Sequence, residues 1–158
     1  MIVISAPNED YSIKNHYNFK IFLSGGILNC PDWQSDVINR INDEYRYSNK
    51  TIYNPRCENF PFNDDNAPER FAVWQYEHLK MANAILFWFP KESLGEITLY
   101  ELGKWGNSSD KIISIGCDPE YKRINDVILQ TKLARRNAII STSLENTIKN
   151  LASQISGC

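Results

Sequence analysis

The sequence predicts a doubly wound α/β domain with a mostly parallel, five-stranded sheet and helices on both faces. Three observations predict it. Short apolar runs alternate along the chain with longer segments whose apolar residues recur at helical spacing. The run Ala84-Ile85-Leu86-Phe87-Trp88-Phe89 is apolar throughout and is stopped by Pro90, the pattern of a strand covered on both faces. The 158 residues suffice for one real core, and no internal repeat or low-complexity segment divides them, so residues 1–158 read as one domain.

Taken in order, Ile2-Val3-Ile4-Ser5 is a short apolar run, an added edge strand or an arm, and residues 7–18 are polar and aromatic and read as a loop. Phe19-Lys20-Ile21-Phe22-Leu23 is a strand. It ends in Ser24-Gly25-Gly26, where bare backbone can approach a ligand closely. Pro31 suits a first helical turn, and Trp33, Val37, Ile38, Ile41 and Tyr45 follow at helical spacing. Thr51-Ile52-Tyr53 is a second strand, ended by Asn54-Pro55-Arg56. Residues 55–67 form a long loop with Pro55, Phe60, Pro61, Phe62 and the pair Asp64-Asp65; loops of this length are usually functional or mobile.

Pro68 opens a helix whose period is marked by Phe71, Trp74, Gln75, His78, Leu79 and Ala82. The apolar strand 84–89 and a helix at about 95–106 come next. Residues 111–116 are the fourth strand and about 122–134 a helix. Ala138-Ile139-Ile140 is a short fifth strand. Ser141 or Thr142 caps a last helix carrying Leu144, Ile148, Leu151 and Ile155.

Composition removes several function classes. Hydrophobic content of 42% and charged content of 23% describe a globular, folded chain. A net charge of −2 exerts no long-range pull on nucleic acid or anionic lipid. No apolar segment approaches the ~20 residues of a membrane span. The N-terminus lacks the pattern of a secretion signal. Cys30, Cys57, Cys117 and Cys158 are scattered without a Cys-x-x-Cys, and His16 and His78 are far apart. The expectation is therefore no metal, no cofactor and reduced thiols in a cytoplasm.

Chemistry concentrates at Ser93-Leu94-Gly95-Glu96-Ile97-Thr98-Leu99-Tyr100-Glu101-Leu102-Gly103, the junction after the apolar strand. In open α/β sheets ligands bind beyond the C-terminal ends of the strands. Glu101 lies one to two turns into the helix, where the helix dipole is expected to keep it ionised. Such a carboxylate can act as a nucleophile at a sugar carbon. The other reading is a capping box formed by Ser93 and Glu96, with Glu101 on a solvated face.

Several segments carry a resemblance. Lys20 through Ile27, Trp33-Gln34, Tyr53-Asn54-Pro55-Arg56, Trp74 through Pro90, Glu96 through Gly103, and Gly116 through Gln130 with Pro119-Glu120-Tyr121 and Arg123 occur in this order. The chain resembles the nucleoside 2-deoxyribosyltransferase-like family over about residues 19–131. The resemblance implies a flavodoxin-like (Rossmann-like) fold and cleavage of the N-glycosidic bond of a nucleoside or nucleotide. It implies that the glutamate of Glu-Leu-Gly, here Glu101, is the nucleophile. A second base then accepts the sugar, which is transfer, or water does, which is hydrolysis. It also implies a homo-oligomer, since the family commonly builds its site with a neighbouring subunit.

Other roles follow with an alternative beside each. Glu96 sits where relatives carry an acid that contacts sugar or base, or it caps the helix. Ser24, Gly25 and Gly26 offer backbone to a hydroxyl or phosphate, or simply make a tight turn. Asn54 and Arg56 close a strand and are candidate substrate-binding residues, Arg56 for a phosphate or else for a surface salt bridge. Trp33, Trp74 and Trp88 stack a base or fill the core. Thr98 shares the face of Glu101, three residues earlier. Gly103 is expected to let the helix pack close to its neighbours. His78 reads as a helix-surface or core-edge residue. Two positions depart from the family pattern: Gln75 replaces an acid after Trp74, and Asn83 replaces an acid after Ala82. Gln75 can hydrogen-bond a base but cannot supply a proton to it, and Glu77 is turned about 200° around the helix.

Four readings result: a deoxyribosyltransferase-like enzyme, a nucleoside monophosphate hydrolase using Arg56 and Gly25-Gly26, a non-catalytic nucleotide-binding module, and an unrelated protein of the same fold. A response-regulator receiver is disfavoured because the first long strand ends in Ser24-Gly25-Gly26 and not in acids. A P-loop NTPase is disfavoured because no Gly-x-x-x-x-Gly-Lys-Ser/Thr occurs.

Overall fold

The computed structural model describes residues 1–8, 19–44, 50–57, 60–61 and 63–156. Most of the expected loop 7–18 with His16, and Tyr45, Phe62 and Cys158, lie outside the described residues. The strands are β1 (Ile2–Ser5), β2 (Phe19–Gly25), β3 (Lys50–Asn54), β4 (Ala84–Phe89), β5 (Ile112–Cys117) and β6 (Ile140–Ser141). The helices are α1 (Trp33–Asp43), α2 (Ala67–Met81), α3 (Glu96–Trp105), α4 (Ile124–Ala134) and α5 (Leu144–Ser156).

The strands form one sheet in the order β1-β3-β2-β4-β5-β6, and every neighbouring pair is parallel. This is the doubly wound, flavodoxin-like order with a strand added beyond β3. The expected count of five becomes six because Ile2–Ser5 is an edge strand and not an arm: it pairs from Ile2↔Thr51 to Ser5↔Asn54. The added strand satisfies backbone groups that β3 would otherwise leave open, and Ile4 is buried in the core.

Two-residue alternation sorts the side chains onto two faces. Ile21, Leu23, Ala84, Leu86 and Trp88 pack with Trp33, Val37 and Ile41 of α1 and Ile148, Leu151 and Ile155 of α5. Phe22, Ile85, Phe87 and Phe89 pack on the other face with Trp74 and Leu79 of α2 and Val127 of α4, while Leu99, Leu102 and Trp105 bring in α3. All six residues of β4 are buried, as a central strand covered on both faces requires.

β2 and β4 are neighbours, but the chain leaves them toward opposite faces, into α1 and α3 respectively. Connections that diverge from adjacent strands open a crevice beyond their C-terminal ends.

Candidate active site

The crevice lies at that switch point. On β2, alternation turns Ser24 toward the side where Phe22 packs, which is the side of α3, and turns Gly25 toward Trp33 of α1. A Cβ on Gly25 would collide with the Trp33 ring and the Trp88 carbonyl, and one on Gly26 would lie 2.6 Å from Ser93 Cβ. Trp33 Nε1 donates to the Gly26 carbonyl at 2.8 Å and fixes this turn. Close packing therefore requires both glycines, and both also line the crevice.

The opposite lip is the segment between β4 and α3. The Tyr121 hydroxyl donates to the Leu94 carbonyl at 2.8 Å. Gly95 has φ 68°, and a Cβ there would lie 3.1 Å from that hydroxyl. The expected capping box does not form. Gly95, not Ser93, is the residue before the helix, no side chain caps it, and Ser93 Oγ instead accepts from Gly95 N at 3.0 Å. The left-handed turn at Gly95 puts the cap two residues beyond Ser93 and makes Glu96 the first helical residue, so the spacing of a box between Ser93 and Glu96 is lost. Glu96 is left exposed on the crevice wall.

From this start α3 directs Thr98 and Glu101 inward, one turn apart, and both are buried. Ser24 Oγ donates to Glu101 Oε2 at 2.5 Å. Burial pushes the Glu101 carboxyl up from 4.5 to about 7, against the opposing effect of the Ser24 hydrogen bond. The expectation of a carboxylate kept ionised by the helix dipole is thus corrected. The dipole acts mainly within the first turn, whereas Glu101 lies beyond it at 6% exposure, so the cost of desolvating the charge dominates.

The crevice encloses about 460 Å³. Pro55, Phe60, Pro68 and Phe71 supply an apolar wall, with the Phe60 and Phe71 rings edge to face at 5.6 Å. Gln75, Glu96, Thr98 and Glu101 supply polar groups around it. A family model described as nucleoside 2-deoxyribosyltransferase like matches residues 18–121. The chain belongs to this family. No curated protein matches it.

The nucleoside 2-deoxyribosyltransferase-like match runs from β2 through Tyr121 and so includes Ser24, Gln75 and Glu101. It places the chain among nucleoside 2-deoxyribosyltransferase-like proteins. Within that family region the structure gathers Gly25, Gly26, Gln75, Glu96, Thr98 and Glu101 along the crevice.

Other candidates lie elsewhere. Arg56 is not among the lining residues. Its Nε lies 2.9 Å from Gln34 Oε1 and 3.0 Å from Asp32 Oδ1, and Nη2 donates to the Pro31 carbonyl at 2.9 Å. Asn54 is buried, and its Oδ1 accepts from Arg56 N at 3.0 Å, which shapes the turn after β3. Trp33, Trp74 and Trp88 are buried core residues and do not line the crevice. His78 is buried, stacked on Trp74 with ring centroids 4.0 Å apart. Gly103 does not serve close packing: a Cβ there would meet nothing within 4 Å. It is exposed on the rim of an open groove between α3 and α4, with Leu99 and Val127 also lining that groove. At the second departure, Asn83 Oδ1 accepts from Lys20 N at 2.9 Å.

Sequence reasoning missed the wall made by Cys57, Phe60, Pro68 and Phe71. The length of the loop 55–67 was the available signal. Among the described residues, no three His, Cys, Asp or Glu side chains gather as a metal site. Among the described residues, no helix is long and apolar enough to cross a membrane.

Proposed function

We propose that the protein cleaves the N-glycosidic bond of a (deoxy)nucleoside through a covalent glycosyl-Glu101 intermediate and transfers the sugar to another base. The observation that carries this reading is the buried Glu101 carboxyl on the wall of the switch-point crevice, held at one oxygen by Ser24. In the first step Glu101 Oε1 bonds the anomeric carbon while the carbon–nitrogen bond breaks. The electron pair leaves with the base, which takes a proton from water. In the second step a nitrogen of the incoming base bonds the anomeric carbon, the ester oxygen leaves as the Glu101 carboxylate, and the nitrogen gives up its proton. Water in place of that base gives hydrolysis.

The remaining roles follow the lining. Thr98 and the Gly25-Gly26 backbone face the sugar, Glu96 contacts a hydroxyl or the base, and Gln75 pairs with a base edge between apolar walls. No Lys, Arg or His stands among the described lining residues, while Glu96 and Glu101 do. That charge balance supports a nucleoside over its 5′-monophosphate. It weakens the hydrolase reading built on Arg56. The exposed Leu28 and Ile97 at the crevice support a homo-oligomer in which a second copy covers the rim.

Gln75 favours a second reading, a nucleotide-binding module without turnover, because it offers the leaving base no proton. Chromatography after incubation with a nucleoside panel, with and without a free acceptor base, separates the readings. A new nucleoside carrying the acceptor base supports transfer, and free base alone supports hydrolysis. Ligand binding with no released base supports the module and overturns the enzyme reading.

A further inference from the structure

We infer that Ser24 is a positioning residue for the nucleophile, holding Glu101 Oε2 so that Oε1 is the oxygen presented to the sugar. This rests on the proposed role of Glu101. The sequence places Ser24 beside Gly25-Gly26, as part of a turn that offers itself to the ligand. The structure turns its hydroxyl the other way. Ser24 is 1% exposed, is the penultimate residue of β2, and pairs in register with Phe87 of β4. Strand alternation aims it at α3, and its hydroxyl donates to Glu101 Oε2 at 2.5 Å, across 77 residues of chain. Among the described residues Oε1 accepts no hydrogen bond, and Glu101 lines the crevice.

One oxygen held and one oxygen open is the arrangement a carboxylate nucleophile needs. A single-bonded side chain carboxyl can rotate about its last torsion, which is broad and roughly two-fold. A donor fixed on a strand removes that freedom and sets the plane from which Oε1 approaches the anomeric carbon. A hydroxyl donor also favours the charged form, the form that attacks. Among the described residues no charged side chain shares this task. Burial and the Ser24 bond are the influences on Glu101, and Glu96 on α3 and Cys57 after β3, the other titratable groups lining the crevice, do not displace it. The rigidity comes from the frame: β2 is paired with β4 through Ser24 and Gly25, and with β3 up to Phe22.

The test uses Ser24→Ala and Ser24→Cys in the full chain, read by the pH profile of kcat and by the 13C titration of the Glu101 carboxyl. The thiol is a weaker donor of similar size. With the hydroxyl gone, the carboxyl midpoint is expected to move up by about one unit in Ser24→Ala and by less in Ser24→Cys. At pH 7 kcat is expected to fall about tenfold with KM nearly unchanged, and part of the loss is expected to return at pH 9. Unchanged titration and an unchanged profile in either folded variant overturn the inference. So does a loss equal at every pH, which a merely structural role produces. Glu101→Gln separates this from the parent reading. If Glu101→Gln keeps full activity, the glycosyl-Glu101 mechanism fails. If Glu101→Gln is inactive while Ser24→Ala behaves as wild type, only the role of Ser24 fails.

Discussion

Arg56 Nε lies 3.0 Å from Asp32 Oδ1, and this pair turns the guanidinium to the start of α1 instead of into the crevice beside Glu101. Gln34 Oε1 and the Pro31 carbonyl complete the cradle. The arginine therefore joins the end of β3 to α1, and its Nε and Nη2 are already engaged by three acceptors of this chain.

A nucleoside is accordingly expected to be turned over at least about tenfold better, in kcat/KM, than its 5′-monophosphate. Arg56→Ala is expected to lower stability by about 1–3 kcal/mol, since it orphans the buried Gln34 carbonyl oxygen, and to leave that substrate preference in place. Steady-state assays on matched substrates and urea melts check both. A monophosphate preference that Arg56→Ala abolishes contradicts the expectation.

Glu101 sets a pH dependence of activity. Its carboxyl stands at about 7 because burial disfavours the charge, and the nucleophile is the ionised form. In the free enzyme kcat/KM is expected to rise with pH through about 7 and to level off above it. A flat profile between pH 5 and 8 is inconsistent with attack by this group.

The same group acts on stability with the opposite sense. The folded-state value of about 7 lies above the usual 4.5, so the folded protein holds a proton that the unfolded chain releases first. Stability from this group is fully present below pH 4.5 and is lost as pH rises to about 7, in total about 3 kcal/mol by linkage. Glu101→Gln, which carries no charge to desolvate, is expected to be about 3 kcal/mol more stable than wild type at pH 8 and equal to it near pH 4. Its activity is expected to fall roughly a thousandfold or more. Denaturation curves at the two pH values, with intact-protein mass spectrometry after a slow 2-fluoro sugar analogue, check the two halves.

Gln75→Glu places a carboxyl on the crevice wall where the family pattern has one. Turnover of substrates with poor leaving bases is expected to rise, and that of good leaving groups to change little. Equal rates across a series of bases indicate that Gln75 contributes only packing.

Gly103→Ala is expected to stabilise the protein by about 0.5–1 kcal/mol, because the added methyl enters open space and the helix loses a flexible residue. Gly26→Ala is expected to destabilise it and to reduce activity, because its Cβ would lie 2.6 Å from Ser93 Cβ on the opposite lip. Thermal melts of the two variants should move in opposite directions.

The sequence by itself determined what depends on near neighbours along the chain. Two-residue alternation in Phe19–Gly25 and the unbroken apolar run of β4 set which strands are central, and the interposed helices dictate a parallel, doubly wound sheet. The family motif placed Glu101 after β4 for the same local reason. Only the tertiary structure decided what depends on distant partners. It joined Ile2–Ser5 to β3, gave Ser24 to Glu101 across 77 residues and Arg56 to Asp32, and opened space at Gly103. It also moved the Glu101 carboxyl from 4.5 to about 7. Desolvation is a property of everything packed around a group, and no spacing along the chain encodes it.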